Sequence, residues 1–171
     1  MQEIVILVGE ADNEVGRAEK LEVHQKGWLH RAFSVFIFNS SGQLLLQKRA
    51  LSKYHSGGLW SNACCGHPRP GEETGAAAKR RLWQEMGIDC EVEEIYGFIY
   101  KTEFENGLIE NEYNHIFVGH YNLPSAINTD EAEEWKFVDI NWVREDIKNN
   151  QDHYTFWFKK CFEEVMERAQ K

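Results

Sequence analysis

One uninterrupted helix signal divides this chain, and the strand-like sequence on either side of it limits the folds available. From Glu73 to Met86 the residues are good helix formers with no proline, and Gly87 stands where a helix C-cap belongs. Carboxylates at its start and basic residues further on are placed to complement the helix dipole. Upstream, Ile4 to Val8, a polar Ala11–Glu14 turn and Val15 to Ala18 predict a short hairpin. Ala32 to Phe38 and Gln43 to Lys48, joined through Asn39-Ser40-Ser41-Gly42, predict a second hairpin, with a polar stretch carrying His24 and His30 between the two. Downstream, Glu91 to Lys101, Glu112 to Tyr121 and Trp135 to Ile140 read as strands, and Asn141 is placed to cap a short helix. Phe158, Cys161, Phe162, Val165, Met166 and Ala169 share one face of a final helix expected over about 154–170. Strands on both sides of a helix, with another helix at the end, predict an α+β sandwich.

The 171 residues suit one domain, with no repeat, low-complexity tract or linker. No apolar run approaches the roughly 20 residues that span a bilayer, and Ile4 to Val8 is too short for a signal peptide. A cytoplasmic protein without membrane contact is expected. Four cysteines, two of them adjacent at Cys64 and Cys65, are expected as free thiols. The net charge of −9 argues against nucleic acid as a partner. Charge is unevenly spread, however: Arg17 to Arg81 holds eleven Lys/Arg and four Asp/Glu, a local balance of +7. That segment would suit a small multiply charged anion such as a diphosphate, or would form a solvated basic face.

Potential ligands punctuate the same region. His24, His30 and His67 supply imidazoles, Glu110 and Glu112 supply carboxylates, and Cys65 is a thiol two residues from His67. On an extended strand Glu110 and Glu112 project to the same face, so both can reach one ion. A mixed nitrogen and oxygen set suits a divalent cation such as Mn2+, Mg2+ or Zn2+.

The segment Gly66-His67-Pro68-Arg69-Pro70-Gly71-Glu72, followed after seven residues by Arg80-Arg81-Leu82-Trp83-Gln84-Glu85-Met86-Gly87-Ile88, resembles the Nudix box, here spanning 66–88. Two positions depart from it. Arg81 and Gln84 replace glutamates that hydrolases of the superfamily use to gather magnesium, and arginine cannot bind a hard cation. With Lys20-Leu21-Glu22-Val23-His24, Leu29 to Ser34, Gln47 to Lys53, Leu59 to Pro68 and Glu110-Asn111-Glu112, the chain resembles type I isopentenyl diphosphate isomerase. The resemblance implies a Nudix-like α/β/α sandwich, a mixed sheet flanked by helices with an N-terminal hairpin extension. It implies a monomer acting on a small prenyl diphosphate by a 1,3-proton shift.

Further roles follow from the same resemblance. His24, His30, His67, Glu110 and Glu112 would hold one divalent metal, and Glu85 a second Mg2+ bridging the diphosphate. Cys65 would handle a proton as a stabilised thiolate on one wall, and Glu112, assisted by Tyr100, on the other. Trp157 would face the cationic carbon, although a core position for it is equally open here. Lys20, Arg49, Lys53 and Arg81 would bind the diphosphate, and Arg80 would make a structural ion pair. His55, His115, His120 and His153 are read as structural, and Cys64, Cys90 and Cys161 as small hydrophobes. Two other readings stand beside the isomerase: a Nudix hydrolase of a nucleoside or prenyl diphosphate, and a catalytically silent diphosphate-binding domain.

Overall fold

Strand β3 (His30–Phe38) is buried along almost its whole length, on both faces. Such a strand needs apolar cover above and below, and the fold supplies it as helices on two sides of one mixed sheet. The computed structural model describes residues 2–169. Phe33, Val35 and Ile37 face helix α2 (Thr74–Met86), where Ala77, Ala78, Leu82 and Met86 complete one core layer. The opposite face sets Phe36 of β3, with Leu44 and Leu46 of β4 (Leu44–Arg49), against α3 (Ile140–Asn149) and α4 (Phe156–Ala169). This is the α/β/α arrangement expected. None of the helices among the described residues is long and apolar enough to cross a membrane.

The first hairpin forms as predicted, β1 (Ile4–Val8) pairing antiparallel with β2 (Glu14–Glu19). It joins the sheet through Leu7 opposite His30. The second hairpin does not form as a ribbon. β3 and β4 share only the Phe38–Leu44 pair beside the Asn39–Gly42 turn and then diverge. β3 instead runs parallel to β8 (Ile109–His120) through nine registered pairs, from His30–Glu112 to Phe38–His120. β4 turns to β9 (Ala132–Val138) and to the short β5 (Trp60–Ser61). β8 also pairs with the long β7 (Val92–Glu103), and the three-residue β6 (Cys64–Gly66) lies antiparallel on β3.

Local capping corrects several boundaries. The polar stretch expected between the hairpins contains helix α1 (Lys20–Lys26), with Glu19 accepting from the Glu22 amide and Gly27 closing it at φ 66°. Asp139, not Asn141, caps α3, its Oδ1 accepting from the amides of Asn141 and Trp142. In α2 the dipole complement reduces to the Glu73 N-cap, since no acidic residue lies in the first turn and no basic one in the last. α4 starts at Phe156 rather than near 154, and position 170 of the expected span lies outside the described residues.

Gly87 at the end of α2 has φ +64°, and a Cβ there would meet the Ala126 carbonyl oxygen at 2.8 Å. Gly42 has φ +74° with nothing within 4 Å. Left-handed backbone costs a side chain about 1–2 kcal/mol. Urea unfolding should therefore show Gly42→Ala losing that strain alone, and Gly87→Ala losing measurably more; equal losses would mean that the contact with Ala126 is relieved freely.

Candidate active site

The β3–β8 register sets His30 directly opposite Glu112 at the open end of the sheet. α1 brings His24 to the same point, with imidazole centroids 4.9 Å apart for His24 and His30. His67, one residue beyond β6, completes the group at 5.1 Å from His30 and 5.8 Å from His24. One ligating atom from each of His24, His30, His67 and Glu112 can be chosen so that all four lie within 4.8 Å of one another.

Two of these rings are oriented by the backbone. Nδ1 of His24 lies 2.7 Å from the Lys20 carbonyl and Nδ1 of His30 lies 2.9 Å from that of Trp28. A carbonyl only accepts, so each Nδ1 carries a hydrogen and each Nε2 is the ring atom turned towards the group. Both Nε2 atoms are buried without a hydrogen-bond partner. Burial, reinforced by charge on His67, pushes His24 down to about 4, which keeps it neutral at physiological pH. Buried imidazole nitrogens converging beside a carboxylate fit a divalent cation, and backbone carbonyls aiming the rings are the usual outer support of such a site.

The second carboxylate stands beside this group rather than inside it. Glu110 Oε2 lies 2.9 Å from the Tyr100 hydroxyl, and the same hydroxyl lies 2.6 Å from Glu112 Oε2. Burial and the neighbouring Glu112 push Glu110 up to about 8. Burial opposes the ionisation of Glu112, but His30 and His67 hold it well below the usual carboxylate range. One hydroxyl has one proton. Both contacts are satisfied together when Tyr100 donates to Glu112 and a protonated Glu110 donates to Tyr100.

Cys65 lines the same cleft, a cavity of about 1160 Å³ whose walls include Tyr100, Glu110, Glu112 and Trp157. Strand alternation in β6 sends Cys64 into the α2 core and Cys65 towards the cleft. The Cys65 sulfur lies 3.4 Å from Ser34 Oγ and 3.3 Å from Asn62 Nδ2. Burial pushes this thiol up to about 12, outweighing both contacts, which favours the protonated sulfur at rest. Trp157 is 3 % exposed, packing in the α4 core while lining the cleft.

Lys20, Arg49, Lys53 and Arg81 all reach the cleft, but not as a bare cationic face. Lys20 Nζ bonds Glu3 Oε2 at 2.9 Å, and Lys53 pairs with Glu131. Arg81 meets Glu85 Oε1 at 2.5 Å and Glu131 Oε1 at 3.2 Å. The Arg49 guanidinium sits 5.2 Å from the Trp157 ring centroid, with its Nε buried and unpartnered. The +7 balance of the segment is therefore offset in space by carboxylates from outside it or from α2. Glu85 is buried, accepts from Gln47 Nε2 at 2.9 Å, and is pushed up by that burial. Arg80 makes the structural pair expected, two bonds to Glu72 at 2.7 and 2.9 Å.

His55, read from the sequence as structural, reaches the cleft. Its Nε2 lies 3.2 Å from Glu110 Oε1, its ring stacks on Phe104 at 4.4 Å, and it meets Trp157 edge-on at 5.8 Å. Its position in the irregular Lys53-Tyr54-His55-Ser56-Gly57-Gly58 loop carries no periodic signal that would place it. Glu3 and Glu131 were equally unreadable, because only the fold brings them to Lys20 and Lys53. His115 is structural as expected, held between Glu94 and Asp12 at 2.6 and 2.9 Å.

The NUDIX domain family model matches residues 28–158. The chain is 50% identical over 166 residues to isopentenyl-diphosphate Delta-isomerase 2 of Aromatoleum aromaticum, covering 97% of this chain and 88% of that protein. It is 53% identical over 160 residues to isopentenyl-diphosphate Delta-isomerase 2 of Photorhabdus laumondii, covering 94% and 90%. Among solved structures, a MutT protein from Methanosarcina mazei superposes with a TM-score of 0.67 at 19% identity over 84% of this chain and 96% of that one. DR0079 from Deinococcus radiodurans gives 0.72 at 18% identity over 86% and 90%. These structural likenesses establish the fold.

The raised Cys65 thiol has a measurable consequence. An ordinary cysteine near pKa 8.5 is mostly thiolate above about pH 9, so its alkylation rate levels there. In a Cys64→Ala background, the rate of iodoacetamide modification at Cys65, followed by peptide mass spectrometry, should keep climbing between pH 7 and 10. A plateau below about pH 9 would contradict the effect assigned to burial.

Proposed function

The chain belongs to the NUDIX family and, within it, to the isopentenyl-diphosphate Delta-isomerases, and from that membership and the cleft we propose that it interconverts isopentenyl and dimethylallyl diphosphate. The observation that carries the proposal is one cleft holding a lone sulfur, a Tyr100–Glu110–Glu112 proton network and buried, partnerless imidazole nitrogens. Hydrolysis has no use for that sulfur. The carboxylate cluster of a Nudix hydrolase is also depleted at Arg81 and Gln84, and the surviving Glu85 is engaged by Arg81.

The reaction moves a hydrogen across an allylic unit. One proton reaches the terminal alkene carbon and one leaves the allylic CH2, which becomes an end of the new double bond, so atoms balance within each turnover. Cys65 on one wall and Glu112 with Tyr100 on the other each exchange one of those protons, and microscopic reversibility swaps their roles in the reverse direction. Glu110 holds its own proton against Tyr100, which leaves Glu112 the ionised carboxylate of that wall, the base opposite the proton-bearing Cys65.

His24, His30, His67 and Glu112, with Glu110 beside them, would hold a divalent Mn2+, Mg2+ or Zn2+, and Glu85 a second Mg2+ shared with the diphosphate. When bound, such ions supply positive charge that orients carboxylates and neutralises phosphate oxygens. Lys20, Lys53 and Arg81 bind the diphosphate from positions that Glu3 and Glu131 already fix. Arg49 bridges to the apolar end, where the Trp157 face would stabilise a tertiary carbocation by about 2 kcal/mol once water is excluded.

In heavy water with Mg2+ and isopentenyl diphosphate, deuterium should enter the product and no phosphate should appear; phosphate release without label would establish hydrolysis instead. Cys65→Ala should lower turnover by about 10²–10⁴-fold while Cys64→Ala, in the core, leaves most of it. Similar losses from both would assign the chemistry to the wrong sulfur. Excess chelator should abolish activity and added divalent cation restore it, and undiminished turnover under chelation would rule out the metal site.

A further inference from the structure

Asn62 touches the one sulfur on which the proton exchange depends. Its side chain is completely buried, and both ends of its amide are fixed. Nδ2 donates to the carbonyl oxygens of Cys64 at 2.8 Å and Val35 at 3.1 Å. Oδ1 accepts from Ser61 Oγ at 2.9 Å, and that hydroxyl lies 2.9 Å from Thr155 Oγ1, just ahead of α4. Turning the amide over would set Oδ1 against two carbonyls that can only accept, so its orientation follows from its neighbours.

In that orientation both edges of the amide reach the same atom. Nδ2 lies 3.3 Å and Oδ1 3.5 Å from the Cys65 sulfur. On its other side stands Ser34 Oγ at 3.4 Å, and Asn114 Nδ2 donates to that hydroxyl at 3.0 Å. A sulfur that gives up and regains a proton changes from hydrogen-bond donor to acceptor within each cycle. A partner with only one capability would hold it in one state and release it in the other. Asn62 Oδ1 offers an acceptor to the thiol, the Ser34 hydroxyl can rotate to donate to the thiolate, and Nδ2, whose two hydrogens already meet carbonyls, shares one of them with the sulfur.

We infer that Asn62, supported by Ser34, is a positioning residue that keeps the Cys65 sulfur aimed into the cleft through both halves of the proton exchange. The inference rests on Cys65 being one of the two proton-exchanging groups. Misplacing a reacting atom by about 1 Å can cost on the order of 10² in rate without weakening substrate binding.

Two readouts test this, one of them independent of turnover. The Cys65 S–H stretching band, isolated by subtracting the infrared spectrum of Cys65→Ala, should move to higher frequency in Asn62→Ala as the sulfur loses its acceptor. It should move less in Ser34→Ala. With isopentenyl diphosphate, Asn62→Ala should lose about 10²-fold in kcat with KM within about threefold, and Ser34→Ala should lose less in the same pattern. An unmoved band, or kcat within about twofold of the parent in folded Asn62→Ala, would overturn the inference. Asn62→Ala leaves two buried carbonyls without a donor; if it does not fold, Ser34→Ala decides by the same two measurements, and an unmoved band with unchanged kcat overturns it. Because the band needs no substrate, a shifted band in a protein without isomerase activity would confirm the contact while refuting the reaction.

Discussion

The parallel pairing of β3 with β8 is the constraint from which the site follows. It places β3 inside the sheet, where helices cover both its faces, separates it from β4 after a single pair, and sets His30 opposite Glu112. A one-residue slip would turn every side chain of β8 to the other face, and Glu110 and Glu112 would leave the histidines together. The apolar pairs further along, such as Val35 with Phe117, thus fix the register that the polar end requires. Core packing and ligand geometry are the same structural fact seen at two ends of one strand pair.

Burial then separates the chemistry of groups that would behave alike in water. Two neighbouring carboxylates cannot both ionise cheaply in a dry site, and their surroundings decide which does. Glu112, facing His30 and His67, stays charged, whereas Glu110 holds its proton against Tyr100. The same burial keeps Cys65 a thiol, so its usefulness depends less on being ionised at rest than on being held where a proton can pass.

Much of the fold could be read from local pattern. The Ile4–Val8 hairpin, the helix ending at Gly87 and the buried face of α4 all announce themselves by period or by turn chemistry. The β3–β4 pair misled because the stretches flanking the turn, Val35–Phe38 and Leu44–Leu46, are unbroken apolar runs, and a run without alternation says nothing about which neighbour it will take. Among site residues, Glu110 and Glu112 were legible because a spacing of two on a strand means one face. His55 was not, since it arrives from an irregular loop, and α1 was hidden because Glu19 and Gly27, rather than an apolar stripe, define it. Glu3 and Glu131 lie far in sequence from Lys20 and Lys53, and a count of charges along a segment cannot see partners that only folding delivers.

That pairing of cleft cations with carboxylates also governs how an anion arrives. With Lys20, Lys53 and Arg81 each locally compensated and the whole molecule at −9, the distant field repels a diphosphate. Attraction begins only at the mouth, within the screening length of about 8 Å at physiological ionic strength. Encounter should consequently quicken as salt is added up to the point where the short-range contacts themselves are screened, the reverse of an enzyme that draws its substrate in from afar.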